Sequence, residues 1–259
     1  MPTWNPAQYL KFAEQRTRPC RDLAARVDVA APRSVIDLGC GPGNSAEVIA
    51  QKWPEAAITG FDSSASMIES ARATHPEWEW RTGDIAEWAA ADGERFDVVF
   101  SNAAMQWLGD HDELFPRLLD HVEPGGALAV QAPGNYDGPS NLLMRILAAS
   151  EGWRRWFPTG RAAEWHTHDI GYYYDVLAPH AVRLDLWATE YIHVMPDAPA
   201  IVEWYKGTGL RPYLDVIAEE SERQRFLAEY LELLGPAFPP QPDGAVLFPF
   251  RRIFIVAYR

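Results

Sequence analysis

The stretch Val35-Ile36-Asp37-Leu38-Gly39-Cys40-Gly41-Pro42-Gly43-Asn44 limits what this chain can fold into more than any other. An apolar run broken by one acid, Asp37, gives way to glycines at three alternate positions, and a helix is predicted to begin near Ala46. Such a run reads as a parallel strand buried on both faces. The glycines form the turn at its carboxyl end, where the missing Cβ permits φ > 0 and lets a ligand come against main-chain atoms. Strand, glycine turn and helix in that order predict an open α/β sheet that binds its ligand at the carboxyl ends of the strands.

Two ligand classes use a turn of this kind, dinucleotides and S-adenosylmethionine. The dinucleotide fingerprint G-x-G-x-x-G asks for a glycine where this chain has Asn44. The D-x-G-x-G-x-G spacing starting at Asp37 instead resembles the first motif of the class I methyltransferases. Further along, 57–62 reads as a second strand ending on Asp62, placed to accept hydrogen bonds from a ribose diol; the competing role is N-cap of a helix from Ser64 to Ala73. A third strand, 78–82, leads to Asp84, an acceptor for an adenine amino group or a cap for the helix 86–90, with Ile85 packing on the ring. The fourth strand, 96–103, runs into Ala104-Met105-Gln106-Trp107-Leu108, at the edge where the ligand's reactive end and a second substrate must meet.

Composition narrows the partners. A net charge of −13 with no Lys/Arg run disfavours nucleic acid, which requires a dense basic face. Two cysteines, Cys20 and Cys40, support neither a disulfide framework nor a thiolate metal site and point to a reducing compartment. No segment approaches 18 uninterrupted apolar residues and the amino terminus lacks a signal-peptide pattern, so a cytoplasmic protein without a membrane partner is expected. His166, His168 and Asp169 lack the further ligands a metal would need.

The chain is read as one domain of 259 residues: a helical lid over 1–30, an α/β core over 31–140, a mostly helical cap over 141–250 with one strand near 183–194, and a closing strand over 251–259. The lid divides into helices 4–19 and 18–27 at Arg18-Pro19. A turn over 123–126 precedes a fifth strand, 127–132. In the cap, 151–169 is irregular and rich in Trp, and helices 196–205 and 214–234 flank a break at 207–212.

Trp4-Asn5-Pro6 with Tyr9, Phe12, Arg16, Arg18 and Pro19, then 37–45, Gln106-Trp107-Leu108, Glu113-Leu114-Phe115-Pro116, His193 with Met195-Pro196, Thr208-Gly209-Leu210-Arg211-Pro212 and Phe254-Ile255-Val256-Ala257 carry a family likeness from end to end. On these the chain resembles the bacterial trans-aconitate 2-methyltransferases, within the class I S-adenosylmethionine-dependent methyltransferases; the stretch 151–169 departs from their pattern in its length and Trp content. The resemblance implies a Rossmann-like sheet with helices on both faces, a helical cap over its carboxyl edge, and transfer of a methyl group from S-adenosylmethionine to one carboxylate of trans-aconitate. The implied cofactor contacts are Asp37, Gly39, Cys40, Gly41 and Asn44 in the glycine turn and Asp62, Ser63 and Met67 after the second strand. Asp84, Ile85, Asn102, Ala103 and Trp107 complete that set. An ionised carboxylate needs no general base, so no catalytic residue beyond positioning groups is expected. A small tricarboxylate entering an acidic protein does need local cations and donors, for which Arg211, Arg16, Tyr9, His193, Arg252 and Gln106 are the candidates. A monomer is expected. The competing readings are another small acid or carrier-bound acyl acceptor, a noncatalytic S-adenosylmethionine binder, and, third, a nicotinamide dehydrogenase.

Overall fold

The computed structural model describes residues 13–160, 162 and 164–259; Tyr9 and residues 4–12 of the opening helix expected over 4–19 lie outside them. Contacts divide the chain into two compact units. The first comprises Ala13–Gly134, His166–Thr189 and Arg252–Arg259; the described part of the second is drawn from Asn135–Trp165 and Glu190–Arg251.

In the first unit, β1 (Ser34–Leu38), β2 (Ala57–Asp62), β3 (Glu79–Thr82), β4 (Phe96–Asn102) and β5 (Val122–Pro133) run parallel. The carboxyl part of β7 (Val246–Tyr258) pairs antiparallel with β5. With β6 (Arg183–Met195) outermost, the described strands follow the order β3-β2-β1-β4-β5-β7-β6. Strand order reverses direction at β1, which puts a switch point between β1 and β4.

Helices α1 (Ala13–Arg26), α2 (Asn44–Lys52), α3 (Ala65–Thr74), α4 (Ile85–Ala90), α5 (His111–Asp120) and α7 (Ile170–Leu177) belong to this unit. Side chains along a strand alternate between faces. One face, with Ile36, Leu38, Val99, Leu128, Val130, Ile253 and Ile255, packs with α4, α5 and α7 into a single apolar core. The alternate positions, Asp37, Phe100 and Gln131 among them, face the other way, and α1 packs against both β5 and α2.

Several local expectations are corrected. No break occurs at Arg18-Pro19: α1 continues through Pro19 to Arg26. A proline in a helix interior forgoes a hydrogen bond and costs about 3 kcal/mol. Burial of Cys20, Leu23, Ala24 and Val27 along one face offsets it. The glycines 125 and 126 do not end β5, which begins at Val122 where Phe96 pairs with it; the register shifts between Phe96 and Val98 and so absorbs them. The helix after the glycine turn starts at Asn44, directly after Gly43.

The second unit holds α6 (Pro139–Ala149), α8 (Ala198–Lys206), α9 (Arg211–Val216) and α10 (Glu220–Ala237). The expected break over 207–212 is shorter than read, because Arg211-Pro212 already begins α9; the interruption that sequence missed falls at Ile217–Glu219. A proline in a first helical turn loses no intrahelical bond, so it starts α9 rather than preventing it. The closing strand begins at Val246, not Arg251. Residues 151–160 form turns, and the Trp-rich stretch is structural in part: Trp153 is wholly buried and its indole donates to Glu229 at 2.7 Å.

Candidate functional site

The glycine turn is built as its spacing requires. Gly39, Gly41 and Gly43 have φ of +76°, +54° and +102°. The surroundings of the first two differ in kind. A Cβ on Gly39 would lie 2.2 Å from the Cβ of Ala104, so this glycine lets the loop after β4 close on β1. A Cβ on Gly41 would meet nothing within 4 Å; here the backbone faces open space.

Asp62 is tied to that turn. Its Oδ2 accepts from the Gly41 N–H at 2.9 Å and its Oδ1 from Ser64 N–H at 2.8 Å. Asp62 therefore does not cap α3, whose N-cap is Ser64. Each carboxylate oxygen retains a lone pair for an outside donor. Burial raises the Asp62 pKa against the lowering effect of those two N–H groups.

Asp37 is completely buried, and its Oδ2 accepts from the Ser45 hydroxyl. Burial pushes its pKa up to about 7, with the Ser45 bond opposing and the charge of Asp62 adding to the rise. Cys40, a free and buried thiol, is shifted far upward by burial and then by Asp37 and Asp62. Asp84 does cap α4, its Oδ1 accepting from Ala86 N–H at 2.8 Å and Glu87 N–H at 3.2 Å. Capping occupies one oxygen and leaves Oδ2, so both readings of Asp84 are geometrically compatible. Ile85 and Met67 are buried while Ser63 is exposed.

At the carboxyl end of β4, Ala103 takes a positive φ of 58°, unusual for a residue with a Cβ. This bend leads into the 3-10 turn Met105–Trp107. Gln106, buried there, donates from Nε2 to the Ala103 carbonyl at 2.6 Å, and the His166 N–H donates to its backbone carbonyl at 3.3 Å. His111 supports the same turn, its ring bonded to the Met105 carbonyl and to Tyr173 Oη. Trp107 is half-buried beside it.

Among the described residues, a set of buried polar atoms in this region makes no hydrogen bond: Oδ1 of Asp37, Asn44 and Asn102, Oε1 of Gln106, and both amide atoms of Gln131. Leaving such a group unpaired costs about 1–3 kcal/mol. They gather toward the carboxyl ends of β1, β4 and β5, the edge at which open α/β sheets take their ligands. Gln131 was absent from the sequence expectations. The available signal was a lone amide in an otherwise apolar buried strand, Ala127 to Ala132.

The anion-binding candidates fall in both units. Arg16 and Arg252, 6% and 4% exposed, belong to the first. Arg211 and His193 belong to the second. Arg211 heads α9, with Nε 3.8 Å from Asp215 Oδ2, on a loop where Gly209 lies against the Tyr205 ring. His193 is surrounded by rings, Trp204 at 4.8 Å and Phe248 and Phe250 at 6.1 Å. No group of three or more His, Cys, Asp or Glu among the described residues is arranged to hold a metal. No helix among them is long and apolar enough to cross a membrane.

A doubly covered sheet carrying this glycine turn, with an acid at the tip of β2 bonded back into it, defines the S-adenosylmethionine-dependent methyltransferase class. Residues 35–126 match the family model described as a methyltransferase domain. The chain superposes on the YcgJ protein of Bacillus subtilis with a TM-score of 0.59 at 13% identity, covering 93% of this chain and 99% of that one. Phosphoethanolamine N-methyltransferase 2 of Haemonchus contortus, solved with S-adenosyl-L-methionine, gives 0.55 at 16% identity over 93% of this chain and 52% of that one. Both show the fold. In sequence the chain is 51% identical to the trans-aconitate 2-methyltransferase of Azoarcus sp. (strain BH72) and 48% identical to that of Rhodopseudomonas palustris (strain BisB5), over all of each protein. The chain belongs to the trans-aconitate 2-methyltransferase family.

Proposed function

We propose that this protein methylates one carboxylate of trans-aconitate, giving a monomethyl ester. The observation that carries the reading is the 51% identity to a relative of that name over the full length of both chains, which includes the second unit as well as the sheet.

The residues fit S-adenosylmethionine. Gly41 offers open backbone, Asp62 has acceptor capacity for a ribose diol, Asp84 Oδ2 suits an adenine amino group, and the unpartnered oxygens of Asn44 and Asn102 suit further donors. When bound, that cofactor supplies an electrophilic methyl group on a sulfonium centre and leaves as S-adenosylhomocysteine. The remaining work falls to positioning. A carboxylate is already ionised at neutral pH, so no side chain need remove a proton. In the first unit Arg16 and Arg252 suit nonreacting carboxylates, each offering paired N–H donors; Arg211 and His193 are the second unit's candidates for the acid. Gln106 and the half-buried Trp107 line the reacting end and limit water. Orientation of this kind is worth roughly 7–11 kcal/mol of barrier.

Free thiols at Cys20 and Cys40 suit a reducing compartment, and the net charge of −13 disfavours nucleic acid as a partner. The test is S-adenosylhomocysteine formation with trans-aconitate beside cis-aconitate, isocitrate, citrate and an acceptor-free control. Turnover is expected to be fastest with trans-aconitate; binding of S-adenosylmethionine without turnover of any acid would overturn the reading.

A further inference from the structure

Gln131 lies beside the cofactor candidate Asn102 but farther from the glycine turn: it sits on β5, two strands or about 9.5 Å from β1, whose carboxyl end leads into that turn. Its side chain is 0% exposed, and neither Nε2 nor Oε1 meets a partner. A core position under no other demand would carry an apolar residue of similar shape, which pays no such penalty.

Sheet register fixes what surrounds it. Gln131 pairs with Asn102 on β4 and with Phe254 on β7, so these three side chains stand on one face. Arg252, two residues before Phe254 and opposite Pro133, stands on that face as well, one step nearer the carboxyl edge. α1, which carries Arg16, packs against β5. The carboxyl end of α1 lies at the amino end of β5, since Tyr258, the partner of Ala127, donates from Oη to the Arg26 carbonyl at 3.4 Å. Midway, Cys20 is buried on α1, which packs against β5, and Asp37, after burial, raises its thiol pKa; Asp37 is level with Phe100 and Ala129. From Cys20 to Arg16 the helix rises about 6 Å, and from Ala129 to Gln131 the strand rises about 6.6 Å. Arg16 therefore comes level with Gln131.

From this arrangement we infer that Gln131 is a substrate-contacting, specificity-determining residue whose Nε2 donates to a carboxylate of the acceptor acid between Arg16 and Arg252. The inference rests on the reading of the acceptor as a small polycarboxylate. An ionised carboxylate only accepts hydrogen bonds, which directs the amide nitrogen toward it and leaves Oε1 to accept from a guanidinium, a group with five donors. A neutral donor between two cations recognises a carboxylate by geometry without adding charge. A site built around such a donor discriminates strongly against an acceptor lacking the matching group.

The experiment compares the parent with Gln131→Met, which keeps length and volume but has no amide. Without ligands the variant is expected to melt at or above the parent's temperature, because an unpaired buried amide has been removed. Calorimetric S-adenosylmethionine affinity should stay within about threefold, while kcat/KM for trans-aconitate falls at least about tenfold, mainly through KM. An unchanged kcat/KM, or an equal loss of cofactor affinity, overturns the assignment. Gln131→Glu is the second variant. Its carboxylate opposes the acid, so its loss should exceed that of Gln131→Met and lessen as the pH is lowered. If neither variant folds, Gln131 is a core residue and the inference fails. A parent that does not turn over trans-aconitate defeats the substrate reading and this inference together; a parent that does, beside an unaffected Gln131→Met, defeats this inference alone.

Discussion

Asp62 and Arg211 separate the two halves of the chemistry. Asp62 accepts from the Gly41 and Ser64 N–H groups, so Asp62→Ala releases two backbone donors at the lip of the turn. It is expected to weaken S-adenosylmethionine binding by at least tenfold in calorimetry, about 1.4 kcal/mol, and to spare the fold, because both N–H groups can then reach water. Arg211→Ala should do the reverse, cutting kcat/KM for the acid at least about tenfold with cofactor affinity within a few-fold. Equal loss of cofactor affinity in Arg211→Ala would remove it from the acid site. The position of Asp62 at a strand tip beside the glycine turn was legible from sequence; its bond to the Gly41 N–H was not, because that depends on how β2 meets the turn. Gln131 was not, since nothing in the order of residues says that Asn102 and Phe254 lie beside it.

The glycine turn and the bend after β4 form one device. Gly39 is needed by the protein itself, because Ala104 occupies the space a Cβ would take, whereas Gly41 faces open space. The two substitutions should therefore part company. Gly39→Ala, strained at φ of +76° and clashing at 2.2 Å, is expected to lose at least about 3 kcal/mol in a denaturant titration. Gly41→Ala should lose only about 1–2 kcal/mol yet abolish measurable S-adenosylmethionine binding, since its Cβ enters the space where a ligand meets the backbone. Equal stability losses, or full binding by Gly41→Ala, would show that the open face of Gly41 is not the cradle. Elsewhere, local signals misled at the element scale. Pro19 reads as a helix break and is carried through by the buried face of α1, and Pro212 reads as part of a break and starts α9.

For the molecule as a whole, the net charge of −13 opposes the approach of a tricarboxylate, while the attracting guanidiniums of Arg16 and Arg252 are buried. Salt screens exposed charges over a Debye length of about 8–10 Å near physiological strength and buried pairs much less. Raising ionic strength from about 0.01 M to 0.15 M should thus increase kcat/KM for trans-aconitate a few-fold, by relieving the general repulsion more than the local attraction. A fall in kcat/KM over that range would mean that exposed cations guide the acid in.

The order of residues alone determined the glycine turn, because a tight turn with φ > 0 is a local matter and glycine meets it at 39, 41 and 43. It also determined the alternation of strand and helix up to β5, whose apolar runs and caps are local as well. Tertiary structure decided what depends on neighbours distant in the chain. Register between β4, β5 and β7 sets Asn102, Gln131 and Arg252 on one face, and α1 packs against β5. Sequence patterns report which face of an element is apolar; which polar groups meet across strands is settled only when the sheet closes around them.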